Sequence, residues 1–297
     1  MACAQAVLVI VVLPQVLTVV AMSRCAFVTL VNSPDYVIGA TALKRSLDRV
    51  GSIHPLVCMV VAGSCDSRPL EQAGCIVREV RPPSLSDEFT LRHGREALHR
   101  RAPFNKGKKP EFHNPLNNFC KLALWGLTEY EKVFFLDADI LLLRNIDHLM
   151  TFPEFCAAPN LYEGLDGFHR MNSGSFTAVP SEATYQRMLA ELDRPGVFWR
   201  RTDQTFLETF FSRWHGLPYI YNALQYLYLN LPQLWQWSSI HVIHYQYEKP
   251  WQQAHPKAKQ LKPLIDLWWA VYEGRDISGQ LDQLSRAQQL QPNGGIS

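Results

Sequence analysis

Short apolar runs alternate along this chain with segments whose apolar positions recur at helical spacing. CAFVTLV (25–31), HPLVCMVV (54–61), CIVREV (75–80) and KVFFLDADILLL (132–143) are aliphatic, β-branched and aromatic runs bounded by turn residues, and they predict strands. YVIGATALKRSLDRV (36–50) and FCKLALWGLTEY (119–130) between them predict helices. Strands without polar alternation are covered on both faces, so the order predicts an α/β fold with a largely parallel sheet wrapped by helices.

Three segments depart from the pattern. Residues 84–118 are rich in charge, Pro and Gly and too long for a connector; an active-site flap or acceptor-contacting loop and a solvated insertion are both open readings. Residues 276–297 are Gln-, Ser- and Gly-rich with few large apolar side chains, which predicts a loose polar tail. Residues 1–23 are almost wholly apolar, and a signal, an anchor and a spurious start all remain open. Gln5, Pro14 and Gln15, the lack of Lys or Arg before Arg24, and a core strand beginning at Cys25 without any stem argue against anchorage. A single main domain is therefore expected at 24–275.

Composition narrows the classes. A net charge of +2 from 29 basic and 27 acidic residues excludes a chain dedicated to nucleic acid. The seven cysteines show neither a CxxC pair nor framework spacing, so buried free thiols are expected rather than zinc or disulfides. The absence of an N-x-[ST] sequon favours the cytoplasm over the secretory lumen or a membrane.

The chemistry concentrates at Asp137 and Asp139, set between two apolar runs. In a strand, residues i and i+2 point to one side, and small Ala138 keeps bulk away, so the pair forms one anionic notch. Open α/β sheets bind ligands at the carboxyl ends of strands, where VFFL delivers these acids. Two neighbouring carboxylates in a partly dry cleft repel unless a cation neutralises them. The alternative, two solvated loop acids with one capping a helix, sits poorly with the ILLL that follows. SSIHVIHYQYEKPW (238–251) offers a third ligand, His241 or His244, on opposite faces of a strand-like run. His244 is preferred because it adjoins Lys249, whose ammonium suits phosphate oxygens, and the stiff Pro250-Trp251 turn. Two carboxylates with an imidazole suit Mn²⁺ better than Mg²⁺.

Six ordered blocks, VTLVNSPDYVIGATALKRSL, NFCKLALWGLTEYEKVFFLDADILLLRNID, MNSGSFTAVPS, DQTFLETFF, LPYIYN and HYQYEKPW, resemble glycosyltransferase family 8, the glycogenin and galactinol synthase group, over about residues 25–272. The resemblance implies the A-type glycosyltransferase fold, Rossmann-like with a mixed, mostly parallel sheet. It also implies retaining transfer of a sugar from a UDP-sugar with Mn²⁺, the acceptor being a glycan, polyol or protein, and it is compatible with a homodimer. By the same resemblance, Thr29, Leu30, Asn32 and Tyr36 hold the uracil and ribose, and Lys121 reaches the donor. Asp137, Asp139 and His244 form the metal site, Ala138 between the acids lines the donor site, and Lys249 meets the diphosphate. Asn172, Ser173, Asp203 and Gln204 contact the sugar, with Asp203 nearest the anomeric carbon whether transfer is covalent or same-face; a turn at Asn172–Gly174 and a helix cap at Asp203 are the plainer readings. Tyr226 or Tyr228 falls where glycogenin-like members carry an acceptor tyrosine, although alternating Tyr and Leu is also the pattern of a packed face.

One departure bears on function. The family reads HxxGxxKPW, whereas HYQYEKPW is one residue shorter and sets Tyr247 where the glycine falls. That substitution supports a rival reading, a binding protein that keeps the fold and has lost turnover. A haloacid dehalogenase-like phosphatase also carries DxD after an apolar strand but expects Thr or Val where Leu141 stands.

Overall fold

The computed structural model describes residues 24–101, 114–162, 164–252 and 254–290; the apolar leader, 1–23, lies outside them. Strands β1 (Cys25–Val31), β2 (Leu56–Val61) and β3 (Ile76–Val80) form where the apolar runs predict them, and α1 (Val37–Arg49) crosses between the first two. A short α2 (Arg68–Gln72) leads into β3, and α3 (Asp87–His93) and α4 (Arg95–Arg101) follow. The chain continues through β4 (Lys132–Leu136), β5 (Ile140–Leu142), β6 (Cys156–Pro159), β7 (Met171–Ala178), α5 (Glu182–Leu192), α6 (Asp203–Phe210) and β8 (His215–Gly216). It ends with β9 (Ala223–Leu224), α7 (Gln225–Asn230), β10 (Val242–His244), α8 (Lys262–Tyr272) and α9 (Ser278–Leu290).

A seven-stranded sheet runs β3-β2-β1-β4-β7-β6-β8. Its β3, β2, β1 and β4 are mutually parallel, and β7 is antiparallel to both β4 and β6. The fold is thus α/β, mixed and mostly parallel, with helices on both faces as expected. A second sheet, β5-β10-β9, lies beside it. The predicted strand 132–143 is broken: β4 belongs to the first sheet and β5 to the second, and Asp137–Asp139 is the crossing between them. Two buried clusters cover the faces of the large sheet, and a third, rich in tryptophan, packs α8 against the small one.

Two expectations need correction, and one open reading narrows. The segment expected as an α-helix at 119–130 is instead a tightly wound 3-10 helix, Pro115–Gly126. Phe119, Cys120, Lys121, Leu122, Leu124 and Trp125 are all buried, so the segment has no exposed stripe from which a pitch could be read. The tail is not wholly loose, because Ile277 just before α9 and Leu281 and Leu284 within it pack on the core, and Gln288 bonds the backbone at Trp235 and Trp237. For the segment 84–118, left open between a flap and a solvated insertion, residues 102–113 lie outside the described residues; within 84–101, Phe89, His93 and Leu98 are buried and Ser86 caps α3, which speaks against a solvated insertion there.

The six cysteines among the described residues are free thiols. No helix among these residues is long and apolar enough to cross a membrane.

Candidate functional site

The carboxyl end of β4 opens into a cleft of about 610 Å³. Leu30, Asn32, Tyr36, Lys121, Asp137, Ala138, Asp139, Asn172, Ser173, Asp203, Gln204, His244 and Lys249 line it. Thr29 alone of the expected residues does not. It is fully buried inside β1 with its hydroxyl unpartnered, because strand alternation turns it away from the side that Leu30 presents.

Asp137, Asp139 and His244 offer one ligand atom each, all within 4.8 Å of one another. The His244 Nε2 lies 3.3 Å from Asp139 Oδ1 and 3.7 Å from Asp137 Oδ2. Asp139 is sealed, at 8% side-chain exposure, whereas Asp137 keeps 31% and faces the cleft. Local structure explains the spacing. His244 sits opposite Ile140 in the β5–β10 ladder, and Tyr245 N donates to the Asp139 carbonyl at 2.9 Å. Asp137 N donates to the Gly174 carbonyl at 2.8 Å, tying the crossing to β7. A Cβ on Gly174 would fall 2.3 Å from His244 Cε1, so the ring has room only because this residue has no side chain. His241, the other candidate, points away and bonds the Asn145 carbonyl.

A chain of amides orients His244. Its Nδ1 lies 3.0 Å from Asn222 Oδ1; Asn222 Nδ2 donates to Asn172 Oδ1 at 2.9 Å, and Asn172 Nδ2 to Asn160 Oδ1 at 3.0 Å. With Asn222 presenting its oxygen, His244 carries its proton on Nδ1 and turns the Nε2 lone pair toward the carboxylates, as a metal-ligating histidine requires. Both ends of the Asn172 amide are engaged within the protein, so it positions neighbours while lining the cleft.

Two buried lysines balance the acids. Lys249 bonds Asp139 and donates to the Tyr245 carbonyl at 3.0 Å. Burial by itself would raise the Asp139 carboxyl, but Lys249 and His244 outweigh it and hold the group well below the usual carboxylate range. Lys121 spends its protons on Asp203 (2.7 Å), Ser173 O (2.9 Å) and Asp137 (3.1 Å). Burial by itself would lower this ammonium; the two carboxylates keep it raised, hence charged. Asp203 is also gripped by Ser173 Oγ at 2.8 Å and Thr202 Oγ1 at 2.9 Å, and Thr202 takes a left-handed φ of 50° at the entry to α6. Gln204 Nε2 is buried and unpartnered, leaving a donor for a ligand. Burial, then Asp139 and Asp137, push the Tyr36 phenol well above its ordinary value, so it faces a ligand as a neutral ring.

The shortened turn retains a glycine-like backbone. Tyr247 lies at φ 66°, in the left-handed region, with its ring 5.9 Å from Tyr162 and 5.5 Å from Tyr226. Tyr226 is buried and its hydroxyl donates to Glu248 at 2.8 Å, while Tyr228 packs against Trp235 and Trp237. Packing, the plainer reading, accounts for both.

Sequence reasoning missed Asn222, Asn160, Tyr162, Thr202 and the arginines Arg170, Arg200 and Arg201 at the cleft mouth. Isolated polar residues in loops carry no periodic signal; for Asn222 the LPYIYN block was the available pointer.

Comparison with known proteins agrees with this geometry. The model of the family described as glycosyl transferase family 8 matches residues 27–158. The chain is 32% identical to human (Homo sapiens) glycogenin-1, covering 84% of this chain and 72% of that one. It is 27% identical to galactinol synthase 4 of Arabidopsis thaliana, covering 86% and 83%. Among solved structures, the galactosyltransferase LgtC superposes with a TM-score of 0.57 at 13% identity, covering 84% of this chain and 96% of that one. The glycosyltransferase GlyE of Streptococcus pneumoniae TIGR4 superposes with a TM-score of 0.58 at 16% identity, covering 92% and 66%. Both share this chain's architecture, which is the A-type glycosyltransferase fold.

Proposed function

The chain belongs to glycosyltransferase family 8 and is a glycosyltransferase, and on that premise we propose that it moves a hexose or hexuronic acid from a UDP-sugar to an acceptor hydroxyl of a glycan, polyol or protein, with retention and with Mn²⁺ in preference to Mg²⁺. The observation that carries the donor and metal reading is the juxtaposition of Asp137, Asp139 and His244 with buried Lys249 at the end of β4. The donor set fits a divalent ion: two anionic oxygens and one imidazole nitrogen whose other nitrogen is already bonded. When bound there, the ion would supply positive charge for the leaving diphosphate.

The chain's own residues do the rest. Lys249 turns from Asp139 toward phosphate oxygen, adding charge where it develops. Leu30, Asn32 and Tyr36 take the base and ribose at the β1 end, and the unpartnered Gln204 amide donates to a sugar hydroxyl. Asp203, held from three sides, is suited to stabilising an oxocarbenium-like centre as a fixed charge, and its engaged lone pairs favour same-face attack over a covalent intermediate.

The test is UDP release from a panel of UDP-sugars by the purified protein, with Mn²⁺ and with excess chelator. Release that needs the metal is expected. UDP binding without release would replace this reading with that of a binding protein, and release unaffected by chelator would remove the metal role.

A further inference from the structure

We propose that the mouth of the cleft is an anion subsite, where Arg170, Arg200 and Arg201 receive a carboxylate or phosphate carried by the substrate in addition to its diphosphate. The proposal rests on the transferase reading and extends it to the charge of the group being transferred or accepted.

Charge balance separates the two ends of the cleft. On the floor every cation is matched: Lys249 by Asp139, and Lys121 by Asp137 and Asp203. At the mouth the match fails. Arg170 is paired with Glu208 at 3.1 Å, but among the described residues neither Arg200 nor Arg201 has a carboxylate partner. The acid lining this end among those residues is the exposed Asp166. Among the described residues, an excess of positive charge therefore lies beside the sugar-facing residues, away from the diphosphate.

The placement is built rather than loose. Arg170 immediately precedes β7, which carries Asn172 and Ser173, and Glu208 fixes it while also accepting Met171 N at 3.2 Å. Arg200 and Arg201 immediately precede the entry to α6, which carries Asp203 and Gln204. Arg201 N is anchored by Thr205 Oγ1 at 3.0 Å, and the left-handed Thr202 turns the chain from the arginines into the helix. Partial burial, then Arg170, lower the Arg201 guanidinium from its ordinary value; Tyr162 and Tyr247 oppose this and Arg200 adds to it. Arg201 thus senses Arg170 on the neighbouring element as well as Arg200 beside it. A guanidinium can donate to a neutral sugar's hydroxyls, but its fork matches planar carboxylate and phosphate oxygens and there adds charge to geometry.

The charged group has two sources, the donor sugar or the acceptor, and paired ligands tell them apart. Calorimetry compares UDP-glucuronate with UDP-glucose for the donor. For the acceptor, D-glucuronate and glucose 6-phosphate are each compared with D-glucose, with UDP and Mn²⁺ present. In at least one comparison the anionic member should bind about tenfold more tightly or better, and the Arg200→Gln/Arg201→Gln variant should lose that advantage. Equal affinity in every pair, or an advantage that survives in the variant, overturns the proposal. UDP affinity is measured separately: if UDP does not bind, the transferase reading falls, while the free-sugar pairs still decide the subsite.

Discussion

His244 Nδ1 and Asn222 Oδ1 face each other at 3.0 Å in a buried site, and this contact aims the opposite ring nitrogen at Asp137 and Asp139. Removing it frees the ring to rotate or change tautomer. Asn222→Ala should therefore weaken Mn²⁺ binding by roughly 10–100-fold while leaving all three ligands in the chain. Titration with Mn²⁺ in the presence of UDP checks this; unchanged affinity would mean that the ring needs no support.

Asp139→Asn keeps shape and removes charge. Turnover should fall at least ~100-fold, the scale of a few kcal/mol of lost charge stabilisation. Lys249, almost fully buried, also loses its counter-ion, so the melting temperature should drop as well. UDP release and thermal unfolding read the two effects separately, and a fully active variant would remove Asp139 from the site.

Tyr247 adopts a φ of 66° that favours glycine, which reverses an ordinary rule. Gly normally destabilises relative to Ala through chain entropy, yet here Tyr247→Gly should be more stable than Tyr247→Ala by about 1 kcal/mol, since Ala keeps the left-handed strain and loses the ring. Denaturant midpoints of the two variants decide it. Tyr247→Phe should cost about tenfold or less in turnover, the worth of one hydrogen bond, whereas Lys249→Ala should abolish it.

His93, which does not line the cleft, gives the fold a pH dependence of its own. Burial, only partly offset by the Phe89 carbonyl, lowers its pKa to about 4, and its Nε2 accepts from Trp199 N at 2.9 Å. The unfolded chain protonates this ring near pH ~6.5, so the contribution is fully present above that pH and is lost as pH falls toward 4. Stability should decline by on the order of 2–3 kcal/mol over that interval. Unfolding curves of wild type and His93→Gln between pH 4 and 7 should differ in slope; parallel curves would contradict the assignment.

The parallel half of the large sheet, β1 to β4, and α1 were legible because uninterrupted apolar strands and a one-sided helix leave periodic marks, and Asp137 and Asp139 stood out as acids where apolar residues belong; β6, β7 and β8 went unpredicted. His244 was separable from His241 by strand alternation and by its distance from Lys249. The pitch of residues 115–126 was not legible, since a segment buried nearly all round has no stripe. The docking of α9 rests on three apolar side chains and one glutamine, too few to rise above a polar composition. Asn222 and the mouth arginines lie in loops, where only tertiary proximity gives a residue its role.

The break at Asp137–Asp139 has a mechanical consequence. Asp137 directly follows β4 of the large sheet, Asp139 directly precedes β5 of the small one and His244 ends β10, so anything gripping all three is a suture between the sheets. Ligand occupancy should be felt as stiffness beyond the cleft, carried through β10 into the tryptophan-lined packing of α8, where amide exchange would slow although α8 does not line the cleft.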